Sequence, residues 1–284
     1  MQPQQEQIRE QQKQAWDNVS AAWKKWDPFI MEFMRPMGDA IVEQLGIKED
    51  DIVLDVAAGT GEPGLTIAGL AKKGKVVGTD LSEGMLQIAS ANAANKGLKN
   101  YSTKAANVCE LPFDSNIYTA VSCRMGFMFF PDMQLAANEM YRVLKPGGRM
   151  AISVWGAPEK NFWYTAMTGI VNQYVQQSPA IPGAPGMFRC AKPGLMTEIF
   201  ARAGFKNVIE KKLTGKVDFV DADTYWTNRV ELSESIITAL SNLDEATMGA
   251  IKKDVYAIIN ANSVNGRALL DYGVNIIYGE KQDY

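Results

Sequence analysis

Between Asp51 and Trp155 short apolar runs alternate with stretches of helical periodicity. DIVLDVA leads to a helix from Glu62, KVVGTD to a helix from Ser82, IYTAVSC to a helix from Asp132; YSTKAA and GRMAISVW complete the series. This alternation predicts βαβ units, and therefore a parallel sheet with helices on both faces. Ser82 is a candidate N-cap and Gly97 a candidate C-cap of the second crossover helix, while Pro146-Gly147-Gly148 predicts a turn that stops the fourth helix before the next strand. Upstream, Trp16, Val19, Trp23 and Trp26 recur at steps of 3, 4 and 3, so a helix over Gln4–Trp26 carries them on one face. Asp27-Pro28 breaks that helix, and a second runs from Phe29 to Leu45, ending at Gly46.

After Trp155 the regularity lapses. A helix over Asn161–Gln177 leads into SPAIPGAPG, a Pro/Gly-rich loop expected to be mobile, and then into a helix near Pro193–Ala203. Strand-like runs at Lys206–Phe219 and Ala268–Glu280 are separated by helices within Asp221–Asn262. Two late strands joined by helices fit the far edge of the same sheet, which favours one elaborated domain.

Composition narrows the function. The chain has 284 residues, 46% of them apolar, which is ample for a core. No run is long and apolar enough to span a bilayer and MQPQQEQIREQQKQ is polar, so a cytoplasmic protein without a membrane span is expected. Cys109, Cys123 and Cys190 match no metal or CxxC spacing, so neither a disulfide framework nor a metal is expected. A net charge of −3 with only small basic clusters makes nucleic acid an unexpected partner. The chain contains 0 histidines, which excludes a Ser-His-Asp triad, a His zinc site and a His general base.

VLDVAAGTGEPG, Val53 to Gly64, contains GTGEPG, which satisfies the dinucleotide fingerprint G-x-G-x-x-G. A pyrophosphate needs free N–H groups and no negative charge at the helix start. Glu62 and Pro63 stand there instead, with Asp55 at the strand end, so the loop permits close approach but favours a cation. Asp80 lies 19 residues past Gly61, where a carboxylate can accept both hydroxyls of a ribose. A ligand with an adenosine ribose and a positive, phosphate-free remainder satisfies both acids, and S-adenosylmethionine is such a ligand.

In order and spacing DVAAGTG, VVGTDLSEGML, AANVCELPF and MYRVLKPGGRMAISVW resemble the class I S-adenosylmethionine-dependent methyltransferases, particularly the UbiE-like branch of quinone biosynthesis. The matching stretch runs from about Gly46 to Trp155. The resemblance implies an α/β, Rossmann-like, doubly wound fold: a mostly parallel seven-stranded sheet with an antiparallel edge strand, N-terminal helices and a helical insertion before the last strands. It divides the chain into a helical lid at 1–45 and a methyltransferase domain at 46–284, elaborated at about 156–204 and 221–262. It further implies that Asp55, Ala57, Gly59, Thr60 and Gly61 line the methionine part of S-adenosylmethionine, whose spent form is S-adenosylhomocysteine. Asp80 is expected to grip the ribose, Leu81 and Met85 to flank the adenine, and Asn107 and the Val108 amide to bond its edge. The family usually carries Gly or Cys where Ala57 and Ala58 stand and Asp where Asn107 stands; Ala is small enough for the turn, and an Asn carbonyl still accepts from an amino group.

Methyl transfer from a sulfonium chiefly requires that a small-molecule acceptor be positioned and water excluded. SCRMGFMFFPD follows the fourth strand at the carboxyl edge of the sheet, where such folds place ligands. Within it Arg124 can hold an anionic acceptor, or pair with a neighbouring acid or the cofactor carboxylate. Met125 and Phe127 are candidate cleft residues among Met128, Phe129 and Phe130, Trp26 is the preferred lid residue, and Tyr164, Tyr225 and Tyr278 are unranked pocket candidates. No residue is assigned as catalytic. The expected acceptor is apolar, aromatic or quinone-like, methylated on carbon or oxygen. A catalytically silent cofactor binder and an NAD-dependent oxidoreductase stay open as alternatives, as do monomer and homodimer.

Overall fold

The computed structural model describes residues 3–175 and 183–283. Two helices, α1 (Pro3–Lys25) and α2 (Asp27–Leu45), precede β1 (Ile52–Val56), α3 (Gly64–Leu70), β2 (Lys75–Asp80), α4 (Glu83–Asn95), β3 (Tyr101–Ala105) and β4 (Tyr118–Arg124). There follow α5 (Met133–Val143), β5 (Leu144–Trp155), α6 (Phe162–Tyr174), α7 (Leu195–Arg202) and β6 (Lys206–Asp218). The chain closes with α8 (Ala222–Leu232), α9 (Glu234–Leu240), α10 (Glu245–Ala261) and β7 (Leu269–Glu280). Most of SPAIPGAPG, and with it the expected mobile loop, lies outside the described residues.

The sheet is seven-stranded, in the order β3-β2-β1-β4-β5-β7-β6. β1 pairs in parallel with β2 and β4, whereas β7 runs antiparallel to both β5 and β6. The antiparallel strand therefore lies one place in from the edge, which β6 occupies. Strand order reverses at β1, between β2 and β4, and in open α/β sheets the crevice beyond such a reversal is where ligands bind. Val53, Leu54, Asp55 and Val56 are all buried because helices cover both faces, so this strand reads as an unbroken apolar run with one acid in it.

Side chains start the helices that frame the crevice. Ser82 Oγ accepts the Met85 N–H at 3.1 Å at the head of α4, and Asp132 accepts the Leu135 N–H at 2.9 Å at the head of α5. Pro146-Gly147-Gly148 behaves differently from the expected turn. β5 already begins at Leu144, and the register with β4 jumps between Tyr118↔Leu144 and Ala120↔Arg149, so the three residues form an irregularity inside the strand. Lys281 holds this junction: its ammonium donates to the Tyr141, Leu144 and Asn116 oxygens at 2.9, 2.8 and 2.9 Å, satisfying carbonyls at the end of α5.

α2 is part of the core rather than of a cover. Met37, Ile41 and Leu45 are fully buried, and the left-handed Gly46 ends the helix by donating to the Val42 carbonyl. Among the described residues of the first 45, α1 lies across the crevice while α2 packs into the core.

Candidate functional site

The loop after β1 owes its shape to residues in the left-handed region: Ala57 at φ 52°, Gly59 at 54° and Gly61 at 116°. Asp55 fastens it from below. One carboxylate oxygen accepts the Gly64 N–H at 3.0 Å and the other the Ser122 hydroxyl at 2.6 Å, tying β1 to α3 and β4. A Cβ on Gly64 would stand 2.7 Å from that carboxylate, so the contact requires glycine. Burial pushes the Asp55 carboxyl up to about 7, against the Ser122 and Gly64 hydrogen bonds and the Arg124 charge. Asp55 thus points into the fold and does not line the crevice as expected. Gly61 also turns away, its α-carbon facing Leu65 and Ala89.

The first turn of α3 has no donor to spare for a phosphate. The Gly64 N–H goes to Asp55, Leu65 to the Gly61 carbonyl at 2.9 Å, Thr66 to the Glu62 carboxylate at 3.0 Å, and Pro63 has none. The NAD alternative thereby loses the feature that a pyrophosphate needs.

Beyond the strand ends lies a cavity of about 100 Å³. Ala57, Gly59, Thr60 and Glu62 wall one side; Asp80, Leu81 and Met85 another; Asn107 and Val108 a third. Asp80, at the tip of β2, accepts the Gly59 and Ser82 N–H groups at 3.0 Å each, and burial raises its pKa above the ordinary carboxylate value. Asn107 accepts the Cys109 N–H at 3.0 Å, starting a short 3-10 turn that presents Val108. Arg124, at the tip of β4, also lines this cavity and donates to the Met34 carbonyl at 3.4 Å. Burial lowers its pKa, while the charges of Glu62, Asp55 and Asp27 oppose the shift, so it belongs to a cluster of acids.

A second cavity, of about 350 Å³, opens beside the first, and both are lined by Trp16, Trp23, Met34, Met125 and Phe129. Its far wall is aromatic: Phe33, Trp155 and Trp163 have ring centroids 4.9 to 5.9 Å apart, and Tyr164 adjoins them. Met125, at the junction, holds a φ of 59°, an uncommon conformation for a side-chain-bearing residue. Phe127 instead is fully buried against Phe130 and Phe200 in the core. Of the three candidate tyrosines only Tyr164 lines the cavity. Tyr225 is buried and donates to the Trp163 carbonyl, and Tyr278 donates to Glu280 on β7.

α1 lies over both cavities, anchored at three points. Gln5 donates to Asp132 at 2.8 Å, Asp17 accepts the Ser82 hydroxyl at 2.5 Å, and Lys25 and the Trp26 indole both donate to Glu231 on α8 at 2.7 Å. The last contact turns Trp26 away from the crevice. Trp16 and Trp23, edge to face at 5.6 Å, cover it instead.

The family profile described as a methyltransferase domain matches residues 53–148. A demethylmenaquinone methyltransferase of Symbiobacterium thermophilum is 30% identical over 205 residues, 64% of this chain and 75% of that one. The chain belongs to the class I S-adenosylmethionine-dependent methyltransferases. An uncharacterized protein of Mycobacterium tuberculosis is 40% identical to this methyltransferase-family chain over 138 residues, 48% of the chain and 49% of the relative. The chain thus spans about half the length of the mycobacterial relatives it matches. The crystal structure of the YcgJ protein of Bacillus subtilis superposes with a TM-score of 0.58 at 17% identity, covering 88% of this chain and all of that one, and so shares its fold. Among the described residues no helix is long and apolar enough to cross a membrane, and no group of acids and cysteines is arranged to hold a metal.

Asn228 and Arg229 line the second cavity and are absent from the sequence expectations. A signal for Arg229 was present: Ala222, Tyr225 and Trp226 precede it at the i, i+3, i+4, i+7 spacing of a buried helix face.

Proposed function

We propose that this protein transfers a methyl group from S-adenosylmethionine to a carbon or oxygen of a small, planar, apolar acceptor of aromatic or quinone-like character. The observation that carries the reading is the meeting of two unlike cavities at Met34, Met125 and Phe129, one ending in Asp80 and Asn107, the other walled by aromatic rings.

The residues of the first cavity suit the cofactor. Gly59 has open space where a Cβ would stand, so backbone can approach a ligand there, and the spent donors of α3 favour a phosphate-free molecule. Asp80 would accept the ribose hydroxyls, Leu81 and Met85 would sandwich the adenine, and Asn107 and the Val108 amide would meet its edge. Ala57, Gly59, Thr60 and Glu62 would surround the methionine part, with Glu62 and Asp80 supplying the negative charge that the sequence had placed partly on Asp55. When bound, the cofactor supplies a methyl group on a positively charged sulfur, already activated for displacement. The chain's own task is to align an acceptor across Met125 and to keep water out, with Trp16 and Trp23 as cover.

No thiol serves as base here. Cys109, Cys123 and Cys190 are buried, and burial pushes Cys109 up to about 11 and Cys190 up to about 12. With no histidine either, the acceptor must arrive ionised or give its proton to a carboxylate or a tyrosine. Incubating the protein and a small-molecule extract of its host with S-adenosylmethionine labelled in the methyl group tests the reading. A labelled aromatic or quinone-like product is expected; cofactor binding without any labelled product would favour the catalytically silent alternative.

A further inference from the structure

We propose that the second cavity is built for an acceptor carrying a delocalised ring oxyanion, an enolate or phenolate, and that Arg229 and Asn228 of α8 are its seat. This rests on the reading of that cavity as the acceptor site. Arg229 is 4% exposed and Asn228 2% exposed, yet among the described residues the Arg229 Nε and Nη2 and the Asn228 Nδ2 have no hydrogen-bond partner. Native structures satisfy buried donors almost without exception, and a buried guanidinium with idle donors is costly unless a ligand completes it.

The neighbours of Arg229 stabilise a cation without using its hydrogen-bonding edge. Its guanidinium carbon lies 4.9 Å from the ring centroids of both Trp163 and Tyr164, an arrangement in which ring faces attract the charge. Among the described residues no carboxylate forms an ion pair with it. Glu231, two residues along α8, is taken by Lys25 at the end of α1 and by Trp26 just after it, and Glu234 is an exposed residue of the cavity rim. Arg124 differs in that it faces three acids and sits in the other cavity.

The ligand chemistry follows from these groups. A planar fork of N–H donors matches an oxyanion, the Asn228 amide adds a neutral donor, and the flanking rings suit a flat conjugated body. A carbonyl conjugated to the ionised oxygen spreads the charge over that body, which lowers the cost of bringing it into an apolar cavity. An acceptor that enters already ionised needs no base from the chain, in keeping with the lack of histidine and the raised thiols.

Calorimetry on the full chain saturated with S-adenosylhomocysteine tests the assignment. The probes are 2-hydroxy-1,4-naphthoquinone, ionised at neutral pH, and its neutral 2-methoxy ether. The wild type should bind the anion at least tenfold more tightly than the ether. Arg229→Gln should erase the preference, Arg229→Lys should keep part of it and Asn228→Ala should reduce it several-fold, each with S-adenosylhomocysteine affinity unchanged within twofold. Equal affinities in the wild type, or a preference that survives Arg229→Gln, would overturn the proposal. Should Arg229→Gln fail to fold, a full preference in both Arg229→Lys and Asn228→Ala would overturn it equally. Wild type that does not bind S-adenosylhomocysteine would instead refute the underlying methyltransferase reading.

Discussion

Asp55 and Arg229 show what single residues reveal before the fold is known. Asp55 sits in a strand buried on both faces, so no alternation of polar and apolar positions told which way its side chain points, and the carboxylate proved to be a fastener inside the fold. Its chemistry gives a pH signature. Burial pushes the native carboxyl up to about 7 from an ordinary value of 3.8, so between these the native state holds more protons than the unfolded one, and its contribution to stability falls as pH rises from about 4 to 7. Urea unfolding across that range should show the decline in the wild type and its absence in Asp55→Asn; identical slopes would refute the buried, protonatable role. Arg229 was legible in principle from helical spacing, but an arginine in a polar helix reads as solvated until the rings of Trp163 and Tyr164, far earlier in the chain, are brought beside it.

At the scale of elements the alternation of apolar runs and helices is legible in the sequence, and so is the Ser82 cap, because its bond to the Met85 N–H is local; the further bond of Ser82 to Asp17 is not. The Pro146-Gly147-Gly148 irregularity and the position of β7 were not visible, since both depend on partners distant in sequence. The same holds for α1: its tryptophan stripe predicted a helix with one apolar face, but only its tertiary anchors decide that Trp16 and Trp23 meet the crevice while Trp26 leaves it. Asp17→Ala removes one anchor of α1, a hydrogen bond that contributes on the order of 1 kcal/mol. Hydrogen exchange of α1 amides should speed up and S-adenosylhomocysteine should dissociate several-fold faster, with the melting temperature little changed. Unaltered exchange and dissociation would mean that the Asp17 contact does not hold α1 closed.

For the whole molecule the decisive feature is where chain topology places its chemistry. The sheet reverses at β1, and that reversal brings the tips of β2 and β4, with Asp80 and Arg124, to either side of the glycine loop. Aromatic rings of α2, β5 and α6 then form a second chamber beside this crevice, and α8 supplies its buried cation. Ligand choice turns on the donors of α3, all of which are consumed within the chain. Calorimetric titration of the wild type and of Asp80→Ala with S-adenosylhomocysteine and with NADH tests this most directly. The wild type should bind S-adenosylhomocysteine at one site and NADH not at all, and Asp80→Ala should abolish the binding. NADH binding in place of S-adenosylhomocysteine, or near-normal affinity in Asp80→Ala, would contradict the account.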